Sequence, residues 1–167
     1  ESLLEGLDIR MDYGEDGVQR MYLSGRDVTE AIRENAVSAL ASQVAALPAV
    51  RDFLLDFQRR QARERDVVMD GRDIGTVVLP RARVKIFLTA APEARAERRL
   101  LELRQRGQDA AFDTVLSDII RRDEQDRNRA IAPLRQAEDA VLLDTTRLDR
   151  AGSLEALLAI VRERLPQ

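Results

Sequence analysis

The stretch Met69-Asp70-Gly71-Arg72-Asp73-Ile74-Gly75-Thr76-Val77-Val78-Leu79-Pro80 decides how this chain is read. It begins inside the apolar run Val67-Val68-Met69 and leads to a second one, Val84-Lys85-Ile86-Phe87-Leu88. A tight turn needs one Asx residue and a glycine. Here a second carboxylate and a guanidinium are added. Residues 66–70, 83–90 and 139–146 form three short apolar runs, separated by stretches of helical pattern, and each run ends on a polar group: Asp70, Thr89 and Asp144. Strands that alternate with helices imply a parallel sheet covered on both faces. In such sheets ligands bind beyond the carboxyl ends of the strands, which is where Asp70-Gly71-Arg72-Asp73 falls. Thr89 and Asp144, taken singly, read as residues that start turns.

Working outward, Leu7 to Tyr13 and Val18 to Leu23 flank Gly14-Glu15-Asp16-Gly17 and predict a hairpin. Asp27 or Thr29 is placed to cap a helix running to about Ala46, and Pro48 separates it from a second helix to about Arg65. Phe53, Leu54 and Phe57 on that second helix read as core packing. Further on, helix 92–106 opens with Pro92 in its first turn and stops before Gly107. Helix 113–128 stops before Pro133, and a last helix runs from Ser153 to Leu165.

Composition narrows the chemistry. The 167 residues are 44% hydrophobic and 34% charged, an ordinary globular balance, and the net charge of −3 argues against a general nucleic-acid surface. No cysteine or histidine is present, so disulfides, cysteine-bound metals and Ser-His or Cys-His nucleophiles are excluded. Residues 36–50 are too interrupted by Ser38, Ser42, Gln43 and Pro48 to span a bilayer. Lys85 is the only lysine; the other basic residues are arginines.

Those arginines cluster. In residues 121–134, Arg122, Asp126 and Arg129 stand at i, i+4 and i+7, one face of a helix if it runs that far. In residues 92–99, Arg95, Arg98 and Arg99 share one side of a helix whose other side carries Ala96, Leu100 and Leu103. A solvated polar face with ordinary ion pairs accounts for either cluster alone. Together with Asp70-Gly71-Arg72-Asp73 they bring many guanidiniums and a few carboxylates toward one end of a parallel sheet. That equipment suits phosphoryl transfer, where the protein positions groups and stabilises charge.

Residues 70–80, 84–99, 121–134 and 139–146, with 41–60 and the N-terminal hairpin, closely resemble the bacterial cytidylate kinases. The resemblance covers essentially the whole chain in order. It implies an α/β, P-loop nucleoside monophosphate kinase-like fold: a parallel sheet with helices on both faces plus a hairpin-bearing monophosphate-binding insert. Residues 1–47 would belong to the monophosphate-binding region and 48–167 to the kinase core, with a lid at roughly 98–130. The implied reaction moves the γ-phosphate of ATP to CMP or dCMP, with ATP and Mg²⁺ as cofactors of a cytoplasmic enzyme. Such an enzyme would be monomeric when complete and have no nucleic-acid or membrane partner.

Carried over residue by residue, the resemblance assigns Ser42, Arg51 and Asp73 to the cytosine, with Arg129 beside them. It assigns Arg72 to the monophosphate, and Arg122 and Asp126 to the sugar. Arg98 would reach the ATP side from the lid. Arg98, Arg122 and Arg129 are the catalytic candidates. Cytosine offers an amino donor at N4, which an aspartate accepts, and uracil would set O4 against the same carboxylate. The family's glycine-rich G-x-x-x-x-G-K-[ST] loop is not in these 167 residues, nor is the segment that follows it. The expectation is therefore a chain without the N-terminal portion, inactive alone and exposing unpaired strand edges. Two other readings are a nucleotide-binding or protein-interaction module that has lost catalysis, and a phosphotransferase for another monophosphate.

Overall fold

Local chemistry builds the first hairpin. The computed structural model of the protein describes residues 2–33, 37, 40, 41, 44 and 47–165, in two compact units, Glu1–Val67 and Val68–Gln167. In the first, a short helix α1 (Ser2–Glu5) precedes β1 (Ile9–Tyr13) and β2 (Gln19–Leu23), which pair antiparallel with Met11 opposite Met21. The Asp16 carboxylate closes the turn, accepting from the Val18 amide at 3.0 Å and from Arg20 Nη2 at 2.6 Å. A third strand, β3 (Arg26–Asp27), was not expected. Ser24 and Gly25 link it to β2 with φ of 49° and 79°, the two successive left-handed residues that suit hairpin twist.

Neither expected cap starts a helix. The Thr29 hydroxyl accepts from the Met21 amide, and Asp27 Oδ1 accepts from the Thr29 amide, each at 2.9 Å. Both side chains are thus spent on the turn after β3, and a 3₁₀ turn at Ala31–Arg33 follows. The helix expected as far as Ala46 lies mostly outside the described residues. α2 (Pro48–Glu64) then forms as its sequence predicts, with Pro48 in its first turn, where a fixed φ and a missing N–H cost nothing. Phe53, Leu54 and Phe57 are half-buried, whereas Asp52, Asp56 and Arg60 form an exposed stripe at i, i+4 and i+8.

The second unit corrects the three-strand expectation. Its sheet, among the described residues, consists of β4 (Ile86–Thr89) and β5 (Val141–Asp144), parallel, with Ile86 opposite Val141 and Thr89 opposite Asp144. Residues 66–70 form no strand, and Val68 is fully exposed. A strand exists only through its ladder, and no described segment pairs with this one. The sheet is not covered on both faces either. Leu88 and Leu142 point to opposite faces and are each 56% exposed.

Between the bare run and β4, the chain makes a π-helical turn, Ile74–Val78, that periodicity did not reveal. The Asp73 carbonyl accepts from the Thr76, Val77 and Val78 amides, Val77 being nearest at 2.8 Å. Gly71 is required next to it, because a Cβ there would stand 2.9 Å from Ile74 Cγ1.

After β4 come α3 (Pro92–Gln105) and α4 (Phe112–Arg127), which hold the described core between them. Ala96, Leu100 and Val115 are buried there, with Leu103, Phe112, Leu116 and Ile119 packed around them. Gly107 ends α3 with φ of 70°. Its amide reaches the Arg104 carbonyl and the Gln108 amide reaches the Leu103 carbonyl, the paired bonds of a Schellman cap. Finally α5 (Arg150–Arg164) starts at Arg150 and not at Ser153, since Asp149 Oδ1 caps it through the Gly152 amide at 2.7 Å.

Gly107→Ala should destabilise the protein by about 1 kcal/mol, because alanine is strained at this left-handed φ. Urea unfolding measures it. A variant as stable as the parent would show that the cap does not depend on glycine.

Candidate functional site

Asp126 lies in the last turn of α4, with its side chain only 3% exposed. A buried carboxylate needs charged partners. Two arrive from different places in the chain. Arg72, from the turn before the π-helix, donates from Nε to Asp126 Oδ2 at 2.6 Å. Arg129, from beyond the end of α4, donates from Nη2 to Asp126 Oδ1. The helix stops at Arg127, with Asn128 at its cap, so the one-face pattern of residues 122, 126 and 129 does not extend as a helix. The chain instead turns back through Ala132, whose φ is 50°, and the Leu134 amide closes on the Asp126 carbonyl at 2.8 Å.

Arg72 spends one donor on this contact. Its two Nη groups bond to no described residue, and the side chain is 41% exposed. A guanidinium held by Nε keeps its Nη edge available as a fork for a planar or tetrahedral oxyanion. Asp73, the next residue, is half-buried and holds the π-turn through its carbonyl. Arg122, one turn before Asp126, is exposed and bonds to no described residue. The structure thus gathers Arg72, Asp126 and Arg129, and does not bring Arg122 into their hydrogen bonds. Arg51 stands near the start of α2, in the first unit. Ser42 lies outside the described residues.

Arg98 is engaged elsewhere. It donates from Nη2 to the Thr145 carbonyl at 2.5 Å and to the Leu148 carbonyl at 3.1 Å, pinning the chain that leaves β5. Thr145 is itself buried and bonds back to the Thr89 carbonyl through its amide and hydroxyl. Asp144 behaves as its turn reading predicts. It accepts from the Thr146 hydroxyl and amide, which together hold its carboxyl below the usual range.

The lone lysine is spent within the chain. Lys85 directly precedes β4, and so stands at the amino end of the sheet. It bonds Asp139 at 2.8 and 2.9 Å and the Pro80 carbonyl. Among the described residues no three acidic side chains group as a metal site. Beside Asp126 the Nη edge of Arg72 is left open, and its donors suit an anionic ligand.

Arg95, which the sequence left on a solvated face, is paired with Asp123. Arg95 donates from Nη1 and Nη2 to the two oxygens of Asp123 at 2.9 and 2.5 Å, and from Nε to the Ala90 carbonyl at 3.0 Å. Arg95 lies in α3 and Asp123 in α4, one turn before Asp126. Arg99, by contrast, pairs only locally with Glu102, as a solvated residue would.

A family model described as cytidylate kinase matches residues 1–163. The chain is 49% identical over 159 residues to the cytidylate kinase of Carboxydothermus hydrogenoformans, covering 95% of this chain and 71% of that protein. It is 50% identical over 149 residues to that of Geobacter sulfurreducens, covering 89% and 64%. With that of Syntrophotalea carbinolica it shares 45% over 164 residues, covering 98% and 69%. The chain thus spans roughly two thirds of the length of these relatives.

The hydrogen bonds from Arg95 hold the Asp123 carboxyl below its ordinary value of 3.8, against partial burial, which pushes it up. A carboxyl depressed in the folded state adds stability above its unfolded-state pKa and loses it as pH falls through the folded-state value. Asp123→Asn should therefore lower the urea midpoint at neutral pH, and the deficit should shrink at a pH well below 3.8. A deficit that does not change with pH would contradict an ionic origin.

Proposed function

This chain belongs to the cytidylate kinase family, and from that premise we propose that it carries the acceptor side of an enzyme moving the γ-phosphate of ATP to CMP or dCMP. The observation that carries this reading is the Arg72–Asp126–Arg129 cluster, with the Nη edge of Arg72 exposed next to Asp73. Two guanidiniums against one carboxylate leave a net positive charge, which suits a phosphomonoester dianion.

Arg72 holds the phosphate through its Nη fork. Asp73 reads the base, its carboxylate accepting from cytosine N4. Uracil presents an acceptor there, and two acceptors facing each other are left unpaired, the kind of mismatch that hydrogen-bonding sites reject most strongly. Ser42 and Arg51 are proposed as further base contacts, and Arg122 as a sugar contact, on the strength of the resemblance. Asp126 is spent on arginines, so we assign it to holding Arg72 and Arg129 more than to the sugar. Residues 1–47 are proposed as part of the monophosphate-binding region and the α3–α4 helical pair, roughly 98–130, as the lid.

ATP, with Mg²⁺, supplies the phosphoryl group and the charge that orders it. No transfer step is assigned to residues of this chain. The second reading, a nucleotide-binding module without transfer, is favoured by Arg98 and Lys85, both committed to other partners and not turned to a triphosphate.

Titration calorimetry with CMP and UMP, beside an ADP-release assay, separates the two. Residues 1–167 should bind CMP in preference to UMP and form no CDP, because in-line transfer needs the β- and γ-phosphates held in place. ATP-dependent CDP formation would sink the inactive-alone expectation, and equal binding of CMP and UMP would sink the base reading. Asp73→Asn, whose amide can donate to uracil O4, should narrow the CMP/UMP preference.

A further inference from the structure

Arg95 has no place in the acceptor-site reading, yet all three of its guanidinium nitrogens donate. Its fork takes both oxygens of Asp123, and its Nε is fixed on Ala90, just past the carboxyl end of β4. The Asp123 side chain is 15% exposed, so the pair is largely withdrawn from water. Asp123 and Asp126 stand three residues apart on α4, hence side by side on its surface. One carboxylate holds Arg95 and the other holds Arg72. The Arg72 charge is also felt at Asp123, where it helps to depress the carboxyl.

The exposed Nη edge of Arg72 therefore has two candidate anions: the phosphate of a ligand, and Asp123 if that carboxylate were not already occupied. Arg127 approaches Asp123 only at 3.6 Å and from an exposed position, too loosely to satisfy it alone. We propose that Arg95 is a positioning residue for the phosphomonoester-binding Arg72. By filling both oxygens of Asp123, it keeps that carboxylate from drawing the Arg72 fork away from the ligand's phosphate. The inference rests on Arg72 binding a phosphomonoester, as in the reading above, but not on the identity of the base.

The test is rescue. Calorimetry on the full chain would use CMP, UMP and ribose 5-phosphate. Arg95→Gln should weaken all three by about tenfold, the worth of one charge-assisted hydrogen bond. Adding Asp123→Asn to Arg95→Gln removes the competing charge and should restore most of the affinity, although the double variant has lost the whole inter-helix ion pair. A residue that only props α3 against α4 would give no such rescue, so a double variant as weak as Arg95→Gln overturns the proposal. So does an Arg95→Gln chain that binds like the parent. If Arg95→Gln does not fold, Arg95→Lys, which keeps the charge and loses the fork, should show a smaller loss with the same rescue. Loss and rescue seen with ribose 5-phosphate, but with no preference for CMP over UMP, would support Arg95 while refuting the base reading. A parent chain that binds none of the three overturns both.

Discussion

An aspartate in the last turn of a helix meets the negative end of the helix dipole, and burial makes its charge more costly still. Asp126 accepts both penalties, and its environment is arranged to offset them. Arg72 must come from the turn behind residues 66–70 and Arg129 from the segment past the helix end. The carboxylate is buried while both arginines remain partly exposed, so each offsets its charge and leaves part of itself in water. The local backbone follows from that demand. Gly71 lets the turn pass close to Ile74, the π-turn gathers three amides on the Asp73 carbonyl, and Ala132 takes a left-handed φ so that the chain can fold back over α4. Non-helical or strained backbone gathered around one carboxylate is the pattern expected where a structure holds side chains for a ligand.

What was legible in the sequence was local. Gly14-Glu15-Asp16-Gly17 between alternating runs specifies the first hairpin, and Pro92 and Gly107 bound α3, because turns and caps act within a few residues. The strand expected at 66–70 failed for the opposite reason. An apolar run states a capacity for pairing, and no described segment supplies the partner. Arg95 and Asp123 show the same limit at the site. They are 28 residues apart, and each sits where a solvated face would also put a charge. Arg99, four residues beyond Arg95, has that bland role in fact. The signal that could have separated them is Asp123 standing three residues before Asp126, each carboxylate facing a different preceding segment. Asp149, three residues ahead of Gly152, is the local cap signal that sets the start of α5.

The family assignment and the residue-level picture rest on different footing. Membership follows from matches along nearly the whole chain, whereas the contacts within the second unit show what its own residues can do. They divide its arginines by task. Arg72 and Arg129 share Asp126, Arg95 holds Asp123, and Arg98 pins the carbonyls after β5. Arg122 bonds to no described residue, and Arg72, Arg99 and Arg129 each bond through a single nitrogen, Arg72 being the one whose whole Nη edge stays open beside Asp126. Among the described residues the parallel sheet has two strands and an exposed leucine on each face.

An ion cluster made only of arginines and aspartates has a further property. With no histidine and no cysteine in the chain, the side chains whose ordinary pKa lies nearest neutrality are missing from every surface that a ligand meets. A phosphomonoester, by contrast, takes its second ionisation at a pKa of about 6. For the phosphate contact proposed at Arg72, a rise in affinity between mildly acid and neutral solution is what the nucleotide's own passage from monoanion to dianion would produce.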